Sequence, residues 1–227
     1  MLQEKIMIKK FERIDDARYE YHLGYQTAQI ALDLGKTAML FSRVERAPRY
    51  ADGVRENDAE HSFMLALVAP EIAKALDLDL DIGLVSQFAV VHDLIEVKTG
   101  DVPTFLFTEN SQLQKELNEQ AALRELMDEL PPHTAALLYK YEQQAEPESR
   151  FVRYIDKLLP VVIDIVGSGK RVMAEDYDVN GVEALKQCQA ELHDRLVKKF
   201  GGEFPEIDLA HQLLCELFEA TYNHQNY

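Results

Sequence analysis

From Phe151 to Val166 the chain is apolar almost all round. A segment of that kind reads as a helix buried on every side. Pro160 falls inside it and is expected to kink it, and Gly167-Ser168-Gly169 ends it. Elsewhere apolar residues recur at helical spacing. Ile30, Leu34, Ala38 and Phe41 mark a helix from Tyr21 to about Val44, after a mixed and charged segment 1–20 that reads as a tail or a first short helix. Asn57 followed by Glu60 reads as a capping box, opening a helix from about Asp58 to Leu76. Asp79 or Asp81 opens the next, which is expected to run through His92 to about Val97 and stop at Gly100. Leu113, Leu117, Leu123, Leu126 and Leu130 stand among many charges and predict an exposed amphipathic helix over 111–130. Pro131-Pro132 begins another segment, and helices near 181–199 and 207–222 complete the chain. Between the first two long helices, Arg43 to Arg55 holds four arginines and is broken by Pro48 and Gly53. No strand alternation of any length, internal repeat or low-complexity linker is visible. The expected fold is all-α, one domain over residues 1–227.

Hydrophobic residues make up 47% of the 227, enough for a sizeable core. The net charge of −16 argues against gripping long nucleic acid through its phosphates, which needs a basic face. A small phosphorylated substrate stays compatible, because a metal and a few arginines supply positive charge locally. The two cysteines, Cys188 and Cys215, lie in separate segments, as expected of packing thiols in a reduced cytoplasmic chain. No secretion signal is read at the N-terminus, and no apolar run approaches the ~18 residues of a membrane span.

The chemistry concentrates at His92-Asp93. Glu96 follows one helical turn after His92 and shares its face; Asp93 lies about 100° further round. Val85, Phe88 and Ala89 turn this side inward. A buried carboxylate is costly unless something positive compensates it, so three ionisable groups here point to a cation. His61, in the first turn of the preceding helix, and Asp156, inside the apolar helix, complete a mixed nitrogen and oxygen set. That set suits Mn²⁺, Fe²⁺, Co²⁺, Ni²⁺ or Zn²⁺, with Mg²⁺ also open. Asp156 has the alternative of pairing with Arg153 or Lys157, and Asp164 is a rival fourth ligand. A second pair, His193-Asp194, is followed by Arg195, Lys198 and Lys199 with no acid one turn on, and reads as a solvated helix face. His22, His133, His211 and His224 read as surface or packing residues.

Glu56-Asn-Asp-Ala-Glu-His-Ser62, His92-Asp-Leu-Ile-Glu-Val-Lys-Thr-Gly-Asp-Val-Pro-Thr104 and Tyr154-Ile-Asp-Lys157 occur in that order. Over roughly residues 40–165 the chain thereby resembles the HD superfamily of metal-dependent phosphohydrolases, and within it the bacterial 5′-deoxynucleotidases and their relatives. The resemblance implies a helical HD bundle of about eight or nine helices, with terminal helices added around the core. It implies metal ligation by His61, His92, Asp93 and Asp156, and a catalytic role for Glu96 and Asp101. It implies hydrolysis of 5′-(deoxy)nucleoside monophosphates to nucleoside and phosphate. In the family an arginine upstream of the first histidine contacts the phosphate, usually beside a tryptophan. Arg46-Ala47-Pro48 occupies that place here, with Arg43 and Arg55 as further candidates. The chain has no tryptophan, so the aromatic contact does not carry over. Other readings are triphosphate or cyclic-nucleotide hydrolysis, or a nucleotide- or metal-binding regulatory domain without turnover. Exposed apolar positions on the terminal helices and the family habit predict a homodimer.

Overall fold

The computed structural model describes residues 19–101 and 109–225. Segment 1–18, and Val102, Pro103 and Thr104 of the second motif, lie outside the described residues, as does the side chain of Leu113. The long helices are α1 (Tyr19–Phe41), α2 (Asp58–Ala75), α3 (Ile82–Val91), α5 (Glu109–Glu129), α6 (Pro132–Gln143), α7 (Pro147–Val166), α9 (Val182–Phe200) and α10 (Pro205–Tyr222). Two shorter ones, α4 (Glu96–Thr99) and α8 (Gly169–Asp176), sit between them. The all-α expectation holds, with one exception.

That exception is the arginine-rich segment. Glu45–Arg49 (β1) and Arg55–Asn57 (β2) pair antiparallel, Glu45 opposite Asn57 and Arg49 opposite Arg55. Gly53 closes the turn at a φ of 84°, which a residue with a Cβ rarely adopts, and Tyr50 N–H donates to Val54 C=O at 2.9 Å. Strands of five and three residues are too short to write an alternating pattern, and the run Arg46-Ala47-Pro48 is buried without alternation. Side-chain pairing of Arg46, described below, holds the hairpin more than any apolar face does.

Capping sets the start of α2 as the sequence predicts. The Asn57 side chain accepts from Ala59 and Glu60 N–H, both at 3.1 Å, and the Glu60 carboxylate accepts from Asn57 N–H at 3.1 Å. The next helix departs from expectation: α3 ends at Val91, not near Val97. Leu94, Glu96 and Val97 N–H donate to the carbonyls three residues back, at 3.1, 2.8 and 3.2 Å. The backbone from His92 to Ile95 is therefore a tightened i→i+3 turn, which moves Asp93 and Glu96 off the regular helical progression.

Helix α7 is the axis of the fold. Phe151, Val152, Tyr154 and Ile155 are fully buried. It packs against α2, α3, α6, α9 and α10, as well as β1. Gly167 and Gly169 have a packing reason: a Cβ on Gly167 would lie 2.2 Å from Arg49 C=O. Ser168 N–H donates to that same carbonyl at 3.0 Å and Ser168 Oγ to Tyr50 C=O at 2.9 Å. The end of α7 thus clamps the hairpin over the site.

Candidate metal centre and cavity

Four side chains from three elements converge beside α7. His61 comes from the first turn of α2, His92 and Asp93 from the end of α3 and its tight turn, and Asp156 from the middle of α7. One ligand atom from each lies within 4.8 Å of all the others. His61 Nε2 is 2.8 Å from Asp156 Oδ1, and His92 Nε2 is 2.9 Å from Asp93 Oδ2 and 3.7 Å from Asp156 Oδ1. His92 Nδ1 lies 2.9 Å from Ala89 C=O, where it donates, so the ring's acceptor nitrogen is Nε2, facing the cluster. Despite its neighbours, His92 Nε2 has no hydrogen bond of acceptable geometry. On the other side, His61 Nδ1 sits 3.5 Å from Glu56 Oε2. Two imidazoles, that of His92 oriented from behind by Ala89 C=O, with two carboxylates in front, fit a divalent cation of the borderline class.

The charges agree. Burial would raise the Asp156 carboxyl, but Lys157, His61 and His92 hold it well below the usual range. Burial likewise opposes ionisation of Asp93, and His92 and Arg46 reverse the effect. His92 loses stabilisation of its charge by burial, yet Asp93 and Asp156 push it up to about 10. A seated cation would compete for the same lone pair.

Arg46 binds the acidic side together. Its Nη1 is 3.0 Å from Asp93 and 3.2 Å from Asp58, and its Nε is 3.3 Å from Glu56. Asp58, Asp93 and Glu96 form a second tight carboxylate group. Burial first, then Asp93, Asp58 and Asp101, push Glu96 up to about 11. Burial raises Asp58 to about 6, against the pull of Arg46. Glu96 is therefore positioned to hold a proton at neutral pH.

Beside these groups lies a cavity of about 120 Å³, several times the room that one water needs. Arg46, Asp93, Glu96, Asp101 and Lys157 line it, three carboxyl groups with two cations. Of the three arginines singled out in the sequence, Arg46 reaches the cavity. Arg43 is exposed and not on its wall. Arg55 is engaged by Asp176 and by the carbonyls of Arg46 and Ala47, at 3.1 and 3.3 Å, and braces β1. Asp164, the rival ligand, is not among the four converging residues and lines the cavity instead. Lys157, the alternative partner of Asp156, does pair with it, Nζ to Oδ2 at 2.7 Å, while Oδ1 faces the histidines. His193 is half-buried and stacks on buried His211, ring centroids 5.3 Å apart, while Asp194 and Arg195 beside it are exposed.

Sequence reasoning overlooked several of these groups. Glu56 stands inside the first motif, where its burial was the missing signal, and Lys157, weighed there only as a partner of Asp156, also reaches the cavity. Met173, Gln189, Leu192 and Phe218 come from α8, α9 and α10 and Tyr177 directly follows α8, and no local pattern marks them as cavity residues.

Several known proteins resemble this chain. The family model described as HD domain matches residues 41–196. A 5′-deoxynucleotidase of Enterobacter sp. (strain 638) is 31% identical over 124 residues, covering 51% of this chain and 62% of that protein. One from Erwinia tasmaniensis is 32% identical over the same length, covering 51% and 63%. The chain thus matches less than two thirds of the length of these relatives. Among solved structures, a predicted metal-dependent phosphohydrolase from Magnetospirillum magnetotacticum MS-1 superposes with a TM-score of 0.65 at 22% identity, covering 90% of this chain and 96% of its own. The HD phosphohydrolase of cyanophage S-2L, bound to dA and one catalytic Zn²⁺ ion, gives 0.50 at 20% identity, covering 83% and 96%.

Proposed function

Since the chain belongs to the HD-domain family, we propose that it is a metal-dependent phosphohydrolase acting on 5′-(deoxy)nucleoside monophosphates, releasing nucleoside and phosphate. The observation that carries this reading is the convergence of His61, His92, Asp93 and Asp156, of which Asp93 also lines a cavity together with Glu96, Asp101 and Arg46. The curated relatives are named 5′-deoxynucleotidases, and the cyanophage structure holds a nucleoside with its zinc, which supports the same substrate class.

The four ligands would hold one divalent cation, which supplies Lewis acidity to the phosphoryl oxygen and to water. Arg46 and Lys157 line the cavity and offset charge on the phosphate. Asp101 takes a proton from the attacking water as its oxygen bonds to phosphorus. The P–O5′ bond breaks, and Glu96, kept protonated by its acidic surroundings, donates its proton to the leaving O5′. The buried walls exclude other water from the reacting phosphate.

A panel of mono-, di- and triphosphates with Mn²⁺, Co²⁺ and Mg²⁺ tests the reading. Orthophosphate from the monophosphates, abolished by chelator, is expected. Triphosphate or pyrophosphate release would instead indicate another HD activity. Tight metal binding with no turnover would indicate a regulatory domain.

The remaining organisation belongs to the same proposal. The whole chain, residues 1–227, is read as one HD domain with its motif-bearing core at about 40–165. Free Cys188 and Cys215 support a cytoplasmic location, and among the described residues no helix is long and apolar enough to cross a membrane. A homodimer is favoured by an apolar groove bordered by Val68, Ile72, Leu158, Leu213 and Leu217. Leu209, Leu213 and Leu217 stand half exposed along one face of α10.

A further inference from the structure

The cavity wall also carries groups that the proposed hydrolysis does not use. Lys157, Pro160, Val161 and Asp164 all line it. Their spacing of i, i+3, i+4 and i+7 makes one stripe of α7. Asp164 lies two helical turns beyond the metal-ligating Asp156, an axial distance of about 12 Å. That is the scale of a mononucleotide laid along the helix, phosphate at the Asp156 end and base at the Asp164 end.

The far end is apolar apart from a few groups. Met173, Leu192 and Phe218 supply apolar walls suited to a flat ring. Asp164 and Gln189 stand among them, only 5% and 6% exposed. Each keeps one buried side-chain oxygen, Asp164 Oδ1 and Gln189 Oε1, without a hydrogen-bond partner. Buried polar atoms are ordinarily paired, so orphaned acceptors lining a cavity point to a donor brought by the ligand.

Taking the nucleotide reading as given, we propose that Asp164, with Gln189 beside it, reads the base, selecting those with an exocyclic amine over their oxo counterparts. An oxo group at that edge would place a second acceptor against the Asp164 and Gln189 oxygens and leave all of them unpaired, a larger penalty than loss of a contact. Both residues belong to parts of the chain that the three sequence motifs do not include.

The test uses base pairs that differ only in amine against oxo: deoxycytidine with deoxyuridine, and deoxyadenosine with deoxyinosine. Binding of the free nucleosides to the intact protein is measured by calorimetry, and kcat/KM on their 5′-monophosphates by phosphate release. The wild type is expected to favour each amine partner by about tenfold or more. Asp164→Leu should bring both ratios near parity, chiefly through KM, and metal content should stay that of the wild type. Should the leucine variant not fold, Asp164→Asn serves, because its amide can turn a donor to the oxo group; gain of deoxyuridine and deoxyinosine binding is then expected. Equal binding of both partners by the wild type, no nucleoside binding at all, or a preference unchanged by substitution overturns the proposal. Nucleoside preference without phosphate release would sink the hydrolase reading alone. Phosphate release without preference would sink this one alone.

Discussion

His61 Nε2 and Asp156 Oδ1 lie 2.8 Å apart, although 95 residues separate them in the chain. One stands in the first turn of α2, the other in the middle of α7, and the contact exists because both helices pack around the same core. Lys157 occupies the other Asp156 oxygen. The carboxylate is thus divided between a lysine and the histidine side of the site.

Removing either partner should empty the site of metal before it unfolds the protein. For His61→Ala or Asp156→Ala, metal affinity is expected to fall more than about 100-fold, since even groups behind the ligands cost 10–100-fold. Elemental analysis of purified protein, with circular dichroism as the fold control, checks this. Wild-type metal content in both variants would contradict the assignment.

Metal binding should release protons. Without a cation, His92 is pushed up to about 10, so it is protonated at neutral pH, and its Nε2 must lose that proton to ligate. The sign follows: affinity should rise with pH by about tenfold per pH unit for one proton released, and level off above about pH 10. Calorimetric titration of metal in buffers of different ionisation enthalpy counts the protons. A count of zero at pH 7.5–8.5 would contradict a His92 that is protonated before the metal binds.

Arg46 should matter for stability as well as for phosphate. Arg46→Ala leaves Glu56, Asp58 and Asp93 facing one another without their cation. Losing one partner of such a buried network costs about 3–5 kcal/mol, measurable by urea unfolding. Arg46→Lys should recover only part of it, because one ammonium does not span three carboxylates.

Glu96→Gln tests proton donation. The amide keeps the shape and cannot supply the proton, so kcat should fall about 10²–10⁴-fold, with metal content and KM near wild type. Rates that recover with substrates carrying better leaving groups would identify Glu96 as the donor to the leaving oxygen; equal losses for all substrates would place it on the water.

Leu213→Glu combined with Leu217→Glu should break the proposed dimer. Both residues border the apolar groove and are about half exposed, so a charge there costs the monomer little. Sedimentation velocity is expected to show a dimer for the wild type and a monomer for the variant. A wild-type monomer would remove the homodimer from the proposal.

The helices and the identity of the candidate ligands were legible in the sequence because both are written locally. Helical period, the Asn57–Glu60 capping box and the cost of isolated ionisable groups such as His92, Asp93 and Asp156 in apolar surroundings need only neighbours in the chain. The β1–β2 hairpin was not legible, since two short strands are held by Arg46 bridging to Glu56, Asp58 and Asp93. Nor was the tight turn after His92, where the regular helix gives way to i→i+3 bonds. The sequence by itself determined which side chains would be expensive to bury without a cation. Only the tertiary structure decided that Arg46, not Arg43 or Arg55, reaches the cavity, and that Asp164 and Gln189 share its far wall. Those facts depend on how α7, α8, α9 and α10 pack, and packing joins residues that no local pattern relates.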